Sequence, residues 1–238
     1  MHIMSTDRTS YKIRGKWDTT VGRKVVMAAS GLLLIGYLII HLAANLMVFA
    51  GDGGRLLNRY SYTLHQLGPL LWIARILLAT FFLSHIISGI RVVIQNRRAR
   101  SSRYAMAASK GGPSKMTVAS RWMAITGLIL LVFVPTHVWM FTLGPYYETV
   151  IDGVPMRDIY RLVVERFKNP VTAFSYAAVM LFLCLHLAHG FWSALQSLGA
   201  LNRKWLPIAY TVGIVLGVLI AGGFFVLPIY TYFFIPMP

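Results

Sequence analysis

Carboxylates and thiols are scarce in this chain. Of 238 residues only 7 are Asp or Glu, against 23 Lys and Arg, so the formal charge is +16. The single cysteine, Cys184, excludes an internal disulfide and, inside an apolar run, indicates no redox compartment. The polar and basic stretch before Val25 has no apolar core, so we expect no cleavable signal peptide. No apolar run contains an acidic residue; the seven are Asp7, Asp18, Asp52, Glu148, Asp152, Asp158 and Glu165.

Apolar residues are abundant instead, at 57% of the chain. A soluble core of this size cannot hide that much apolar surface, so the bilayer must act as a solvent. Five runs are each long enough to span it as a helix: about 21–50, 68–95, 121–143, 170–198 and 206–234. We predict an all-α integral membrane protein, with a basic tail (1–20) and one five-helix domain (21–238).

The basic residues predict how the helices are oriented. They concentrate in the tail, in the loop 96–120 and at 202–204, whereas the connections 51–67 and 144–169 hold most of the acids. The positive-inside rule then puts the amino terminus in the cytoplasm and the carboxyl terminus outside. We therefore interpret the charge as topology and attraction to anionic groups, not as a nucleic-acid site. Within 144–169, the apolar spacing over 157–167 predicts a short interfacial helix.

Histidines occur in four of the five runs. An ionisable ring in hydrocarbon is costly and is a functional candidate by default. At 1.5 Å per residue, His41 and His137 lie about 15 and 10 Å from the outer ends of their runs, and His85 and His189 about 24 and 28 Å. The sorting predicts an outer pair, His41 with His137, and an inner pair, His85 with His189. His186 is the alternative inner residue; we prefer His189 on depth and because Gly190 leaves room beside it.

Two imidazoles at one depth suit the two axial positions of a haem iron. Two such levels would form a two-haem electron path across the bilayer. Zinc and di-iron sites usually need more ligands or carboxylates, and a proton-coupled transporter usually has a carboxylate within the membrane. Four structural histidines, each bonded to a neighbouring helix, remain the alternative.

Other polar residues are candidates for supporting roles. Haem propionates need cationic partners. Arg75 lies near the outer level, and three further cations lie toward the inner face: Arg91, Lys24 and Arg121. For Lys24 and Arg121 snorkelling to headgroups is an equal explanation. At the outer face we expect proton exchange near His65, Glu148 or Asp152, although His65 also fits a plain exposed histidine.

Several motifs resemble one family. The most specific are Lys168-Asn-Pro170 and His186-Leu-Ala-His-Gly-Phe-Trp-Ser-Ala-Leu-Gln-Ser-Leu-Gly199. Less specific matches lie in the first three runs and in the two connections between them: Gly22-Arg-Lys24, Ser30-Gly31, His41-Leu-Ala-Ala-Asn45, Asn58-Arg-Tyr60, Trp72, Arg75, His85, Asn96-Arg-Arg-Ala-Arg100, Arg121-Trp-Met123 and His137. Together they resemble the single-chain, five-helix, dihaem cytochrome b subunit of succinate dehydrogenase and fumarate reductase (succinate:quinone oxidoreductase). The tail has no counterpart in that resemblance.

The resemblance implies two haems b, bound by His41, His85, His137 and His189. It implies a multi-pass anchor in a bacterial cytoplasmic membrane, bound to a flavoprotein with FAD and to an iron–sulfur protein. Electrons would pass between succinate and a quinone, expected to be menaquinone, without dicarboxylate chemistry in this chain. A dihaem subunit of another respiratory enzyme, such as a formate dehydrogenase or nitrate reductase, and a haem-free scaffold or transporter remain alternatives. The physiological direction, the side of the quinone site and a higher oligomer of the complex stay open.

Overall fold

A computed structural model describes residues 19–98 and 117–237 of the chain. Five helices in this part are long and apolar enough to cross a membrane, which confirms the predicted all-helical, five-span membrane architecture. They are α1 (Thr20–Asn45, continued by a 3₁₀ turn, Leu46–Ala50), α3 (Pro69–Arg98), α4 (Val118–Phe141), α6 (Pro170–Ser197) and α7 (Leu206–Phe234). The predicted tail and most of the basic loop, with Arg100, lie almost wholly outside the described residues. Which compartment each terminus faces stays a prediction.

Local side chains account for where three of these helices begin. The hydroxyl of Thr19 accepts a hydrogen bond from the Gly22 amide at 3.0 Å and caps α1. Thr117 and Ser120 form a reciprocal capping box at the start of α4. Asn169 caps α6, and Pro170 occupies the first turn, where its missing N–H costs nothing.

The helices pack unequally, and this leaves a gap in the bundle. The closest pair is α6 with α7, where a Cβ on Gly213 or Gly217 would come within 3 Å of a carbonyl on α6. Helix α1 packs on α3 and α6, and α4 packs on α6. By contrast, the backbones of α1 and α4, and those of α3 and α6, scarcely approach each other. In these two pairs of histidine-bearing helices, α1 with α4 and α3 with α6, the backbones therefore lie apart and only side chains can meet between them.

One end of the bundle, which the charge pattern predicts to be the outer one, carries a small cap. We define this cap as α2 (Arg55–Gln66), the hairpin β1 (Glu148–Ile151) and β2 (Val154–Arg157), and α5 (Ile159–Lys168). The strands are antiparallel, with Ile151 opposite Val154. Helix α5 confirms the short helix predicted at 157–167, and it buries Leu162, Val163, Val164 and Phe167. Helix α2 and the hairpin were not predicted from the sequence.

Polar contacts hold the cap together and also join it to the transmembrane helices. Asn58, 2% exposed, donates to Asp158 Oδ1 at 2.9 Å and accepts from the Tyr160 amide at 3.0 Å, so it ties α2 to α5. Arg157 donates to the carbonyl of Phe141 at the end of α4. Lys168 donates to the carbonyl of Tyr232 near the end of α7. Both cations satisfy carbonyls that a helix end leaves without partners.

Candidate functional site: two pairs of histidines

The outer pair joins α1 to α4. The ring centroids of His41 and His137 are 5.8 Å apart and their planes lie at 87°. Phe224 of α7 lies 5.7 Å from the His41 ring and closes one side of the pair. The predicted proximity of His41 and His137 is therefore confirmed, while their role as ligands stays a prediction.

The inner pair joins α3 to α6, but through a different residue from the one expected. The ring of His85 lies 6.2 Å from that of His186, with an interplanar angle of 73°. His189 instead has its ring edge against Trp192, at 4.8 Å. The ring beside His85 is therefore that of His186 and not, as we predicted, that of His189, while the role of either residue as a ligand stays a prediction.

Helix geometry explains the difference. Measured from the first residues of their helices, Pro69 and Pro170, His85 and His186 lie at the same depth, about 24 Å at 1.5 Å per residue. His189 lies about 4.5 Å deeper and is turned by about 60° around the helix axis. Gly190 does border open space, as expected, but that space does not bring His189 toward His85.

Both inner rings are held by a hydrogen bond that involves their Nδ1 atom. His85 Nδ1 lies 3.0 Å from the carbonyl oxygen of Met27, which can only accept. The proton of neutral His85 is therefore on Nδ1, and Nε2 keeps its lone pair. His186 Nδ1 lies 3.1 Å from the hydroxyl of Thr126. For His85 this is the usual arrangement of a metal-binding histidine, in which the other ring nitrogen donates to a neighbouring oxygen, and the Thr126 contact allows the same arrangement for His186.

The outer rings are held differently. Asn45 Nδ2 is 3.4 Å from His41 Nε2 and donates to the His41 carbonyl at 2.8 Å. His137 Nδ1 is buried and has no hydrogen-bond partner in the described part of the chain. Aromatic rings surround His137, with centroids between 5.2 and 6.1 Å away: Phe133, Phe141 and Tyr176. Ring packing therefore holds the His137 ring in place, whereas a hydrogen bond holds the His85 ring.

The spacing of both pairs suits one metal between two rings. With a metal–nitrogen bond of about 2.0 Å, two imidazoles on opposite sides of one metal have their centroids roughly 6 Å apart. Over residues 19–98 and 117–237, no three His, Cys, Asp or Glu residues come together as a metal site. A haem needs only two protein ligands, because its porphyrin supplies the other four. Imidazole pairs across an open helix gap fit that requirement.

The surroundings of the four cations predicted as propionate partners do not single out any of them. Arg75 is half-buried, with its guanidinium 5.0 Å from the Trp72 ring centroid. Lys24, Arg91 and Arg121 are exposed. A role for any of the four beside a propionate stays a prediction.

The residues expected to exchange protons all lie in or beside the cap. His65 is exposed, and its Nδ1 lies 2.8 Å from the Ser61 carbonyl. Glu148 is exposed on β1. Asp152, at the hairpin turn, forms ion pairs with Arg55, at 2.8 Å, and with Arg59. These pairs leave Glu148 the better placed of the two carboxylates for exchange with water.

Two further features of the cap were not predicted. Glu165 accepts from Arg161 at 2.7 Å, and hydrogen bonds from Tyr147 and Arg161 lower the pKa of its carboxyl group. A pocket of about 240 Å³ opens between α2 and the hairpin, lined by Arg59, Tyr62, Thr63, Ile151, Val154 and Met156. It is separate from both histidine pairs.

Sequence reasoning missed three groups around the inner pair: the Met27 carbonyl, the Thr126 hydroxyl and the space beside Gly31. A Cβ on Gly31 would lie 3.1 Å from Cε1 and 3.2 Å from Nδ1 of His85, closer than most real contacts. The only sequence signal was the Ser30-Gly31 motif itself. No family model, curated protein or solved structure matches this chain.

Gly31→Ala should disturb the inner pair selectively. The new methyl group would press on the His85 ring and strain its bond to the Met27 carbonyl. Overpacking of this kind typically costs about 1–3 kcal/mol. We expect at least a several-fold loss of inner haem relative to outer haem, measured by redox difference spectra of the purified protein. Gly222→Ala is the control, because nothing lies within 4 Å of its Cβ position; equal inner haem in both variants would contradict the expectation.

Proposed function

We propose that this chain is the dihaem cytochrome b membrane anchor of a succinate:quinone oxidoreductase. One observation carries the proposal: two pairs of imidazoles, at two depths, each reach across a gap between helices that do not pack together. The motifs that resemble this family lie on the same helices as the paired rings. In the proposal the ligands are His41 and His137 for the outer haem, and His85 and His186 for the inner one.

Haem iron supplies reversible one-electron transfer when it is bound. The chain's own residues would set where that happens and how water is kept out. The Met27 carbonyl and the Thr126 hydroxyl orient the inner rings. Aromatic side chains exclude water around the outer rings. As the resemblance implies, the chain itself would perform no dicarboxylate chemistry; its spans contain no Asp or Glu, and four of its seven histidines are assigned to the pairs.

The proposal includes the partners that the resemblance implies. A flavoprotein with FAD and an iron–sulfur protein would dock on the cytoplasmic face of a bacterial membrane, and a quinone, with menaquinone expected, would react within the bilayer. The charge distribution supports this orientation, because Arg97, Arg98, Arg203 and Lys204 lie at the end of the bundle opposite the cap.

The test is a reduced-minus-oxidised visible spectrum of the purified chain, with haem quantified per chain, and mass spectrometry of proteins that copurify. A b-type signal from two haems per chain, with flavoprotein and iron–sulfur subunits, would support the proposal. A spectrum without haem would favour structural histidines. Haem with the subunits of a formate dehydrogenase or nitrate reductase would assign the chain to another respiratory enzyme.

Neutralising basic residues of the inner face should weaken assembly. Arg97 and Arg98 are exposed at the end of α3, and Arg100 follows them in sequence. Exposed charge pairs contribute little singly and are screened by salt, so we expect a collective effect. The Arg97→Gln, Arg98→Gln, Arg100→Gln triple variant should lose subunits at moderate salt that the wild type retains, as judged by gel filtration. Arg161→Gln, on the cap at the other end of the bundle, is the control; equal subunit retention by both variants at moderate salt would count against this docking face.

A further inference from the structure

We infer that Thr126 is the positioning residue that makes His186, and not His189, the inner ligand. The inference rests on the proposed function, since it concerns the residue behind one of the four proposed ligands. Thr126 lies on α4, whereas His85 and His186 lie on α3 and α6. In this inference α4 would therefore control how the histidines of α3 and α6 hold the inner haem.

The contacts of the Thr126 hydroxyl are few and directional. The residue is 0% exposed, so no solvent competes for the hydroxyl. Its Oγ1 donates to the Met123 carbonyl at 3.2 Å and lies 3.1 Å from His186 Nδ1. A hydroxyl has one proton to donate, and we assign it to the Met123 carbonyl, which can only accept. With that assignment the oxygen accepts from His186, and the imidazole carries its proton on Nδ1.

This tautomer leaves the Nε2 lone pair of His186 available, on the ring that lies across from His85. A hydrogen bond from the distal nitrogen also fixes the ring orientation and makes the imidazole a stronger donor to a metal. The Cβ position of the neighbouring Gly127 lies 3.6 Å from His186 Cε1, an ordinary van der Waals distance, so α4 packs directly beside the His186 ring. On the other side of the pair, His85 Nδ1 donates to the Met27 carbonyl in the same arrangement.

His189 shows what the absence of such a contact means. Its Nδ1 is buried without a hydrogen-bond partner in the described residues, and its ring edge packs on Trp192, 5% exposed. No hydrogen bond to this Nδ1 fixes its tautomer in the described part of the chain. The two histidines, one helical turn apart, thus differ in depth and direction and also in the hydroxyl contact that His186 alone makes with α4.

The experiment compares Thr126→Val with Thr126→Ser in the purified full-length protein loaded with haem. Valine keeps the shape and removes the acceptor, whereas serine keeps the hydroxyl. Loss of the acceptor weakens the donor strength of His186, which favours the reduced iron. We expect Thr126→Val to raise the midpoint potential of the inner haem, and to change its low-temperature electron paramagnetic resonance signal, with the outer haem unchanged. Thr126→Ser should behave as the wild type.

Thr80→Val is the matched control, because the Thr80 hydroxyl bonds only within its own helix, to the Ile76 carbonyl. If Thr126→Val fails to fold, Thr126→Ala provides the same readout. An inner haem with unchanged potential and signal in Thr126→Val or Thr126→Ala, or a serine variant shifted as far as valine, would overturn the inference. A wild-type chain that binds no haem would instead overturn the proposed function.

Discussion

His186→Ala should abolish the inner haem, whereas His189→Ala, one turn along the same helix, should retain it. The reason is that the His186 ring lies 6.2 Å from that of His85, and the His189 ring packs on Trp192. Without one of its two histidines the inner haem should not be held, while the outer haem should remain. The haem content per chain should therefore fall by about half. His85→Ala should give the same loss. The measurement is the haem-to-protein ratio with redox difference spectra.

The outer pair provides the reciprocal control. His41→Ala or His137→Ala should remove the outer haem and leave most of the inner one, because those two rings face each other at 5.8 Å. Loss of the inner signal in His41→Ala, with the outer signal kept, would show that the pairing is wrong. Inner haem kept in His186→Ala and lost in His189→Ala would restore His189 as the ligand.

Turnover of the complete complex should generate a membrane potential. Two levels of histidine pairs suit electron transfer between the inner face and an outer quinone site. Moving one charge fully across the bilayer is worth about 2.3 kcal/mol per 100 mV. A proton that moved with each electron would cancel this, but such a path needs titratable groups inside the bundle. The spans hold no Asp or Glu, and among the described histidines in the spans only His189 lies outside the two pairs.

The test uses the complex in sealed liposomes, driven by quinol or quinone, with a potential-sensitive dye. We expect a dye response that an uncoupler abolishes, with protons exchanged at the outer cap near His65, Glu148 or Asp152. Fast turnover without a dye response, unaffected by the uncoupler, would show a reaction that is electroneutral or confined to the inner side. Glu148→Gln should slow turnover if that exposed carboxylate on β1 takes part.

The cap shows where reading the sequence was limited. The short helix α5 was predictable because its apolar residues recur on one face. Helix α2 carries a comparable signal, with Leu57 buried and Asp52 accepting from the amides of Gly54 and Leu56 at its start, but its many polar residues suggested a loop. The hairpin has only four residues per strand, too few for alternation to stand out.

The sequence by itself determined the properties that depend on the surrounding solvent, here the hydrocarbon of the bilayer. Long apolar runs without acids must lie in hydrocarbon as helices, and this decided the number of spans and their bounds to within a few residues. Depth along a helix follows from counting residues, so the outer pair, His41 with His137, was predictable. The direction a side chain takes around its helix depends on neighbouring helices, which counting does not reveal. Only the tertiary structure therefore decided between His186 and His189, because the Thr126 hydroxyl and the His85 ring meet on one face of α6 and not the other.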